Sequence, residues 1–202
     1  MRVSPFYAAF AMGSHPSFIS TSRLHRSIKK DGYGLITAPQ VDKLGVWHDL
    51  LKVSGGEPME IDLTRKKVLS PNIKPFPELH GDIGGYLLWL ERSFPSGPFK
   101  KYHHFLKVIL KGSRKGQADI WHQDGSSFLT FSRCFYGRGT QLALDARNQH
   151  DAGRRILEAK TQDVLVFPGG KSKGAYGDFL GIHRSPPYGG DRVVVVSYLE
   201  KA

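Results

Sequence analysis

From residue 100 onward the chain is built of short runs with no helix between them. Residues 105–110, 118–121, 128–136, 140–144, 156–159, 163–167, 181–183 and 192–199 are rich in β-branched and aromatic side chains, and clusters of Gly, Pro, Asn or Asp separate most of them. A parallel doubly wound sheet needs crossover helices between its strands, and the sequence offers none here. Strands this short and this numerous close best on themselves, as a jelly roll or barrel.

The first hundred residues read differently. A helix is expected over 21–30, followed by a turn and strand in Asp31-Gly-Tyr-Gly-Leu-Ile36. Val41, Leu44, Trp47, Leu50 and Leu51 repeat at helical spacing over 41–52. Residues 53–78, rich in Gly, Pro and charge, read as loop, and 83–94 as an apolar helix with Asp82 as its N-cap and Pro95 as its stop. The fold class expected is therefore mainly β, with N-terminal helices packed outside a jelly-roll, cupin-like barrel. At 202 residues the chain is one domain, taken as 23–202. Residues 1–22 are set apart as a basic tail, because no acid occurs before Asp31 and six serines fall in the first thirty positions. Such a tail fits either a cytoplasmic protein or organellar targeting.

Composition excludes several classes. With 40% hydrophobic and 23% charged residues, and no apolar run near the roughly 20 residues of a spanning helix, the chain is neither fibrous, wholly disordered nor built around membrane helices. Cys134, the single cysteine, rules out an internal disulfide framework and a multi-thiolate zinc site, and its apolar run makes it a small core residue. The net charge is +11, densest between Lys100 and Lys115, where six Lys and Arg and the pair His103–His104 occur without an acid. Such a field favours anionic partners. No helix-turn-helix, zinc-finger or aromatic RNA-binding pattern accompanies it, so nucleic acid is a possible partner and not the favoured one.

Trp121-His122-Gln-Asp124-Gly sits at the end of a run, and Gly181-Ile-His183-Arg184 lies just ahead of the last one. Two imidazoles and a carboxylate can take one face of an octahedral metal and leave three positions open, which suits non-haem Fe(II). Nine His and 12 Asp make about half a chance His-x-Asp pair. His80-Gly-Asp82 is such a second pair; helix capping accounts for its aspartate. Arg192 opens the final apolar run beyond His183, where an inward guanidinium would need an anion beside it. Arg184 is the next candidate for that role.

These residues together resemble the Fe(II)/2-oxoglutarate-dependent oxygenase superfamily: His122-Gln-Asp124, His183, then Arg192 ahead of a terminal apolar strand. Asp163-Val-Leu-Val-Phe-Pro-Gly169 and Asp31-Gly-Tyr-Gly-Leu-Ile36 are similar to two further strands of that family. The resemblance implies a double-stranded β-helix, iron held by His122, Asp124 and His183, 2-oxoglutarate gripped by Arg192, and dioxygen as the oxidant. It departs from the Arg-x-Ser pattern, because Val194 stands in the third position; Tyr102, Tyr136 or Thr130 is expected to supply the missing hydroxyl. Loops 53–78, 145–155 and 169–180 are expected to line the substrate pocket, with Lys171 and Lys173 at its mouth and a small, anion-bearing molecule as substrate. Two other readings stand beside this one: a cupin-like metal- or ligand-binding protein without oxygenase activity, and a basic nucleic-acid-binding module.

Overall fold

The computed structural model describes residues 21–70, 80–95, 100–111, 120–150, 153–187 and 190–201. Most of the basic tail and the end of the 53–78 segment lie outside them. Helix α1 (Thr21–Asp31) is followed by β1 (Gly34–Thr37), α2 (Lys43–Val53), β2 (Met59–Asp62), β3 (Lys67–Val68) and α3 (Gly81–Ser93). Seven strands then follow without an α-helix between them: β4 (Lys100–Ile109), β5 (Leu129–Tyr136), β6 (Gln141–Ala143), β7 (Ile156–Glu158), β8 (Asp163–Pro168), β9 (His183–Arg184) and β10 (Arg192–Lys201).

All pairings are antiparallel. The larger sheet runs β1-β8-β5-β10-β4-β2-β3 and the smaller β7-β6-β9, extended at its end by a bridge between His122 and His183. Alternation along β10 divides the layers. Val193 and Val195 join the core under the three helices, with Leu24, Ile28, Val46, Leu50, Ile83 and Leu90 as the helical contribution. Arg192, Val194, Val196 and Tyr198 point the other way, into the space between the sheets. There Leu165 and Phe167 of β8 pack against Leu142 of β6. This is the double-stranded β-helix expected from the sequence, with the site between two sheets and the helices outside. Among the described residues no helix is long and apolar enough to cross a membrane.

Two local expectations are corrected. Residues 53–78 are not all loop: Ile61 pairs with Leu106 and with Val68, so β2 and β3 extend the larger sheet beyond β4. Met59 and Ile61 supply the apolar alternation, which the surrounding Gly, Pro and charge obscure. The N-cap of α3 is His80, whose Nδ1 accepts from the Asp82 N–H at 3.2 Å. Asp82 instead occupies the first turn, where its charge favours the helix N-terminus.

Gln162 ties the segment entering α2 to the β7–β8 turn. Its side-chain amide accepts from Val41 N–H at 2.9 Å and donates to Val41 C=O at 2.8 Å, while its own backbone adopts φ +75°. The residue is fully buried. Gln162→Ala should lower the unfolding free energy by about 2–3 kcal/mol in urea denaturation, from two lost hydrogen bonds and the polar groups they leave unpaired. Gln162→Gly should cost less than the alanine variant, because glycine accepts the positive φ; equal costs would show that the clamp, not the backbone, sets the whole effect.

Candidate metal centre

The two histidines meet through their backbones before they meet through their side chains. His122 N–H donates to His183 C=O at 3.0 Å and His183 N–H donates back at 2.9 Å, so the residues are directly opposed across an antiparallel bridge. Directly opposed residues project to the same side of a sheet. Their ring centroids are 4.3 Å apart, between the two sheets.

Each ring is then oriented by a carbonyl two residues upstream. His122 Nδ1 lies 3.0 Å from Ile120 C=O, and His183 Nδ1 lies 3.0 Å from Gly181 C=O. A carbonyl can only accept, so each Nδ1 carries a proton and Nε2 is the ring nitrogen left to face a metal. Burial holds the His183 imidazole below its ordinary range, against the raising pull of the Asp124 carboxylate. A neutral ring with a free Nε2 is the form a metal accepts.

Asp124 completes the group. Its Oδ2 lies 3.4 Å from His183 Nε2, and one ligand atom from each of His122, Asp124 and His183 falls within 4.8 Å of the others. The Thr130 hydroxyl donates to Asp124 Oδ2 at 2.8 Å, and the Ser127 hydroxyl donates to Asp124 C=O at 3.2 Å. Behind the turn, Gly170 N–H donates to the same carbonyl at 2.8 Å. A Cβ on Gly169 would lie 2.0 Å from Ser127 Oγ, so only glycine lets the 169–170 backbone approach the aspartate turn this closely. Tyr198 reaches the carboxylate from β10, where burial first and Asp124 second push its phenol far above the ordinary tyrosine range.

The structure brings Arg192 to the same space. It is 2% exposed, and its Nε and Nη1 have no hydrogen-bond partner. Arg192 and the two histidines line one cleft, walled also by Lys107, Ser132, Thr140, Phe167 and the inner face of β10.

Several expected residues lie elsewhere. Tyr102 donates its hydroxyl to Phe94 C=O at 2.7 Å and Tyr136 stacks on Trp47 at 4.8 Å, both on the helix side of the sheet. Thr130 serves Asp124. Two hydroxyls that line the same cleft as Arg192 are those of Ser132 and Thr140, 2.7 Å apart and both buried. Among the described residues, none of loops 53–78, 145–155 and 169–180 lines this cleft; its described walls are strands and the segments next to them. Lys171 and Lys173 are exposed on the short 3-10 turn hung from the aspartate turn, outside the cleft lining. Arg184 does line the cleft, and it is held there by the Trp121 ring, 4.2 Å away, and by Gln141 Oε1, which accepts from its Nε at 2.9 Å. Sequence reasoning missed Ser132, Thr140, Lys107 and Tyr198. Period-two alternation counted from Arg192 would have put Tyr198 on its face; the others depend on register between distant strands.

No family model matches the chain, and no curated protein matches it significantly. Solved structures do resemble it. A prolyl-4-hydroxylase from Pseudomonas putida aligns with TM-score 0.53 at 11% identity, over 89% of this chain and 98% of that one. A prolyl hydroxylase from Trichoplax adhaerens, in complex with a hypoxia-inducible factor oxygen degradation domain peptide, gives 0.56 at 10% identity over 88% and 87%. HygX from Streptomyces hygroscopicus, with nickel and 2-oxoglutarate bound, gives 0.54 at 8% identity over 90% and 87%. At these identities the likeness is one of fold.

Gly181 has φ +61°, and a Cβ there would lie 1.9 Å from Pro168 C=O, two residues before His183. Gly181→Ala should therefore displace His183 and weaken binding of a divalent ion, read by calorimetric titration. Thr130→Val, which frees the aspartate oxygen and the Ser127 hydroxyl, should weaken it by about tenfold, and Thr130→Ser should restore it.

Proposed function

We propose that this chain is an Fe(II)- and 2-oxoglutarate-dependent oxygenase acting on a C–H bond of a small, anion-bearing molecule. The observation that carries the reading is the pairing of a two-histidine, one-carboxylate cluster with a buried arginine whose Nε and Nη1 are unpartnered. A guanidinium with two orphaned donors, nearly out of water, needs an anion. A cupin-like binding protein would explain the triad and leave Arg192 without a purpose.

In this reading His122, Asp124 and His183 hold the iron, with Nε2 as the donor atom of each imidazole. Arg192 binds the distal carboxylate of 2-oxoglutarate through its planar pair of N–H groups. The Ser132–Thr140 hydroxyl pair stands in for the serine that Val194 replaces: one shared proton joins the two oxygens and leaves the other free to donate to the carboxylate. Val194, Val196 and Phe167 keep the rest of the wall apolar and exclude water. When bound, ferrous iron and 2-oxoglutarate supply dioxygen activation, one oxygen atom ending in succinate and, for a hydroxylation, the other in the product. The chain contributes the facial ligands, the carboxylate anchor and a shielded cleft.

The test is an anaerobic titration of the protein with Fe(II) and 2-oxoglutarate, followed by the weak visible band of the ternary complex. His122→Ala, Asp124→Ala and His183→Ala should each abolish the band, and Asp82→Ala should leave it intact. Arg192→Lys should weaken 2-oxoglutarate by about tenfold or more while metal affinity holds, since lysine cannot form the two-donor fork. A protein that binds the metal and shows no 2-oxoglutarate band would return the reading to a binding protein.

A further inference from the structure

One charged pair at the cleft wall has no part in holding metal or cosubstrate: Lys107 lines the cleft, and Glu60 stands beside it, outside the lining. Lys107 Nζ lies 3.3 Å from Glu60 Oε1. The two residues are directly opposed in the β2–β4 register, and Lys107 is in turn opposed to Val194 of β10. Register therefore turns both side chains to the inner face, where Lys107 lines the cleft. Among the described residues this is the only lysine–carboxylate pair. The side chains are 24% and 29% exposed, so most of their hydration is already lost.

A pair at this depth is a weak stabiliser, because desolvation offsets most of the attraction, and an apolar pair would serve the wall as well. Its neighbours suggest another use. Lys107 is close enough to act electrostatically on His183, and Glu60 to act on Tyr198, which itself touches Asp124. The pair thus flanks the triad on the side away from β8.

Charge balance narrows what can lie there. A divalent metal and a dianionic cosubstrate neutralise Arg192 and Asp124 together. Glu60 and Lys107 neutralise each other. A ligand resting on this flank with no net charge, but with one group of each sign, completes a square of four alternating charges without leaving any ion unpaired. We propose that the Glu60–Lys107 pair receives the α-amino and α-carboxylate groups of an amino-acid substrate, the ammonium on Glu60 and the carboxylate on Lys107. The inference rests on the oxygenase reading and names the substrate class of that same site: the anion-bearing molecule is a zwitterion.

Calorimetric titration of the anaerobic Fe(II) and 2-oxoglutarate protein with the proteinogenic L-amino acids tests it. At least one should bind, and its N-acetyl and its carboxamide derivatives should each bind about tenfold more weakly or worse, each having lost one charged contact. Glu60→Gln should weaken the free amino acid and leave the N-acetyl form unchanged; Lys107→Met should weaken the free amino acid and leave the carboxamide unchanged. A merely structural pair would lower all forms alike or none. The inference is overturned if no amino acid binds, if the blocked derivatives bind as well as the parent, or if Lys107→Met weakens 2-oxoglutarate as much as Arg192→Lys does. Because binding is read directly, the titration decides the question even where the 2-oxoglutarate band fails to form, and the two readings fail separately.

Discussion

Two backbone hydrogen bonds between His122 and His183 hold the site together. They join the segment before β5 to β9 and fix both imidazoles on one side of the smaller sheet. The remaining features accommodate that bridge. The carbonyls of Ile120 and Gly181 set the tautomers, Gly181 lets the chain pass under Pro168, and the Gly169–Gly170 backbone brings the aspartate turn within reach. The ligand geometry is therefore a property of the main chain, with the side chains following.

The larger sheet carries a buried arginine on each face, and they are used differently. Arg133, 1% exposed, points toward the helices, where its guanidinium lies over the rings of Tyr86 and Phe135 at 4.9 and 4.5 Å and donates to Pro39 C=O. Burial lowers its pKa to about 10, a price partly offset by Tyr86, Asp82 and Asp163. Both leave Nε unpaired; Arg192, with no such aromatic bed among the described contacts, leaves Nη1 open as well. The contrast makes Arg133 a packing element and leaves Arg192 with donors that packing does not use.

Much of this was legible from residue order. The short runs after position 100 gave a sheet-on-sheet barrel because period-two alternation and turn residues agree there. The triad was legible because a metal face needs a rare combination of residue types close to strand ends. What escaped depended on pairing between distant strands. Ser132 and Thr140 look like ordinary polar positions until β5 and β6 meet, and Glu60 is one charge in a segment that reads as loop until β2 pairs with β4. Arg133, in the run LTFSRCFY, gave no sign that it is buried as deeply as Arg192. The cap of α3 was misplaced by two residues because a histidine, not the neighbouring aspartate, accepts the orphaned N–H.

The bridge also has a kinetic meaning. His122 and His183 are about sixty residues apart in the chain, and closing a loop of that length costs on the order of 4 kcal/mol before its contacts return anything. The β10 pairings with β4 and β5 span ten and seven residue pairs, whereas the smaller sheet is held by three pairs and then two. Folding has reason to assemble the larger sheet first and to dock the ligand strands late. An ion that engages both histidines binds only the finished barrel, so it acts as a latch on the last event of folding, and the population of completed molecules rises with the ion's concentration.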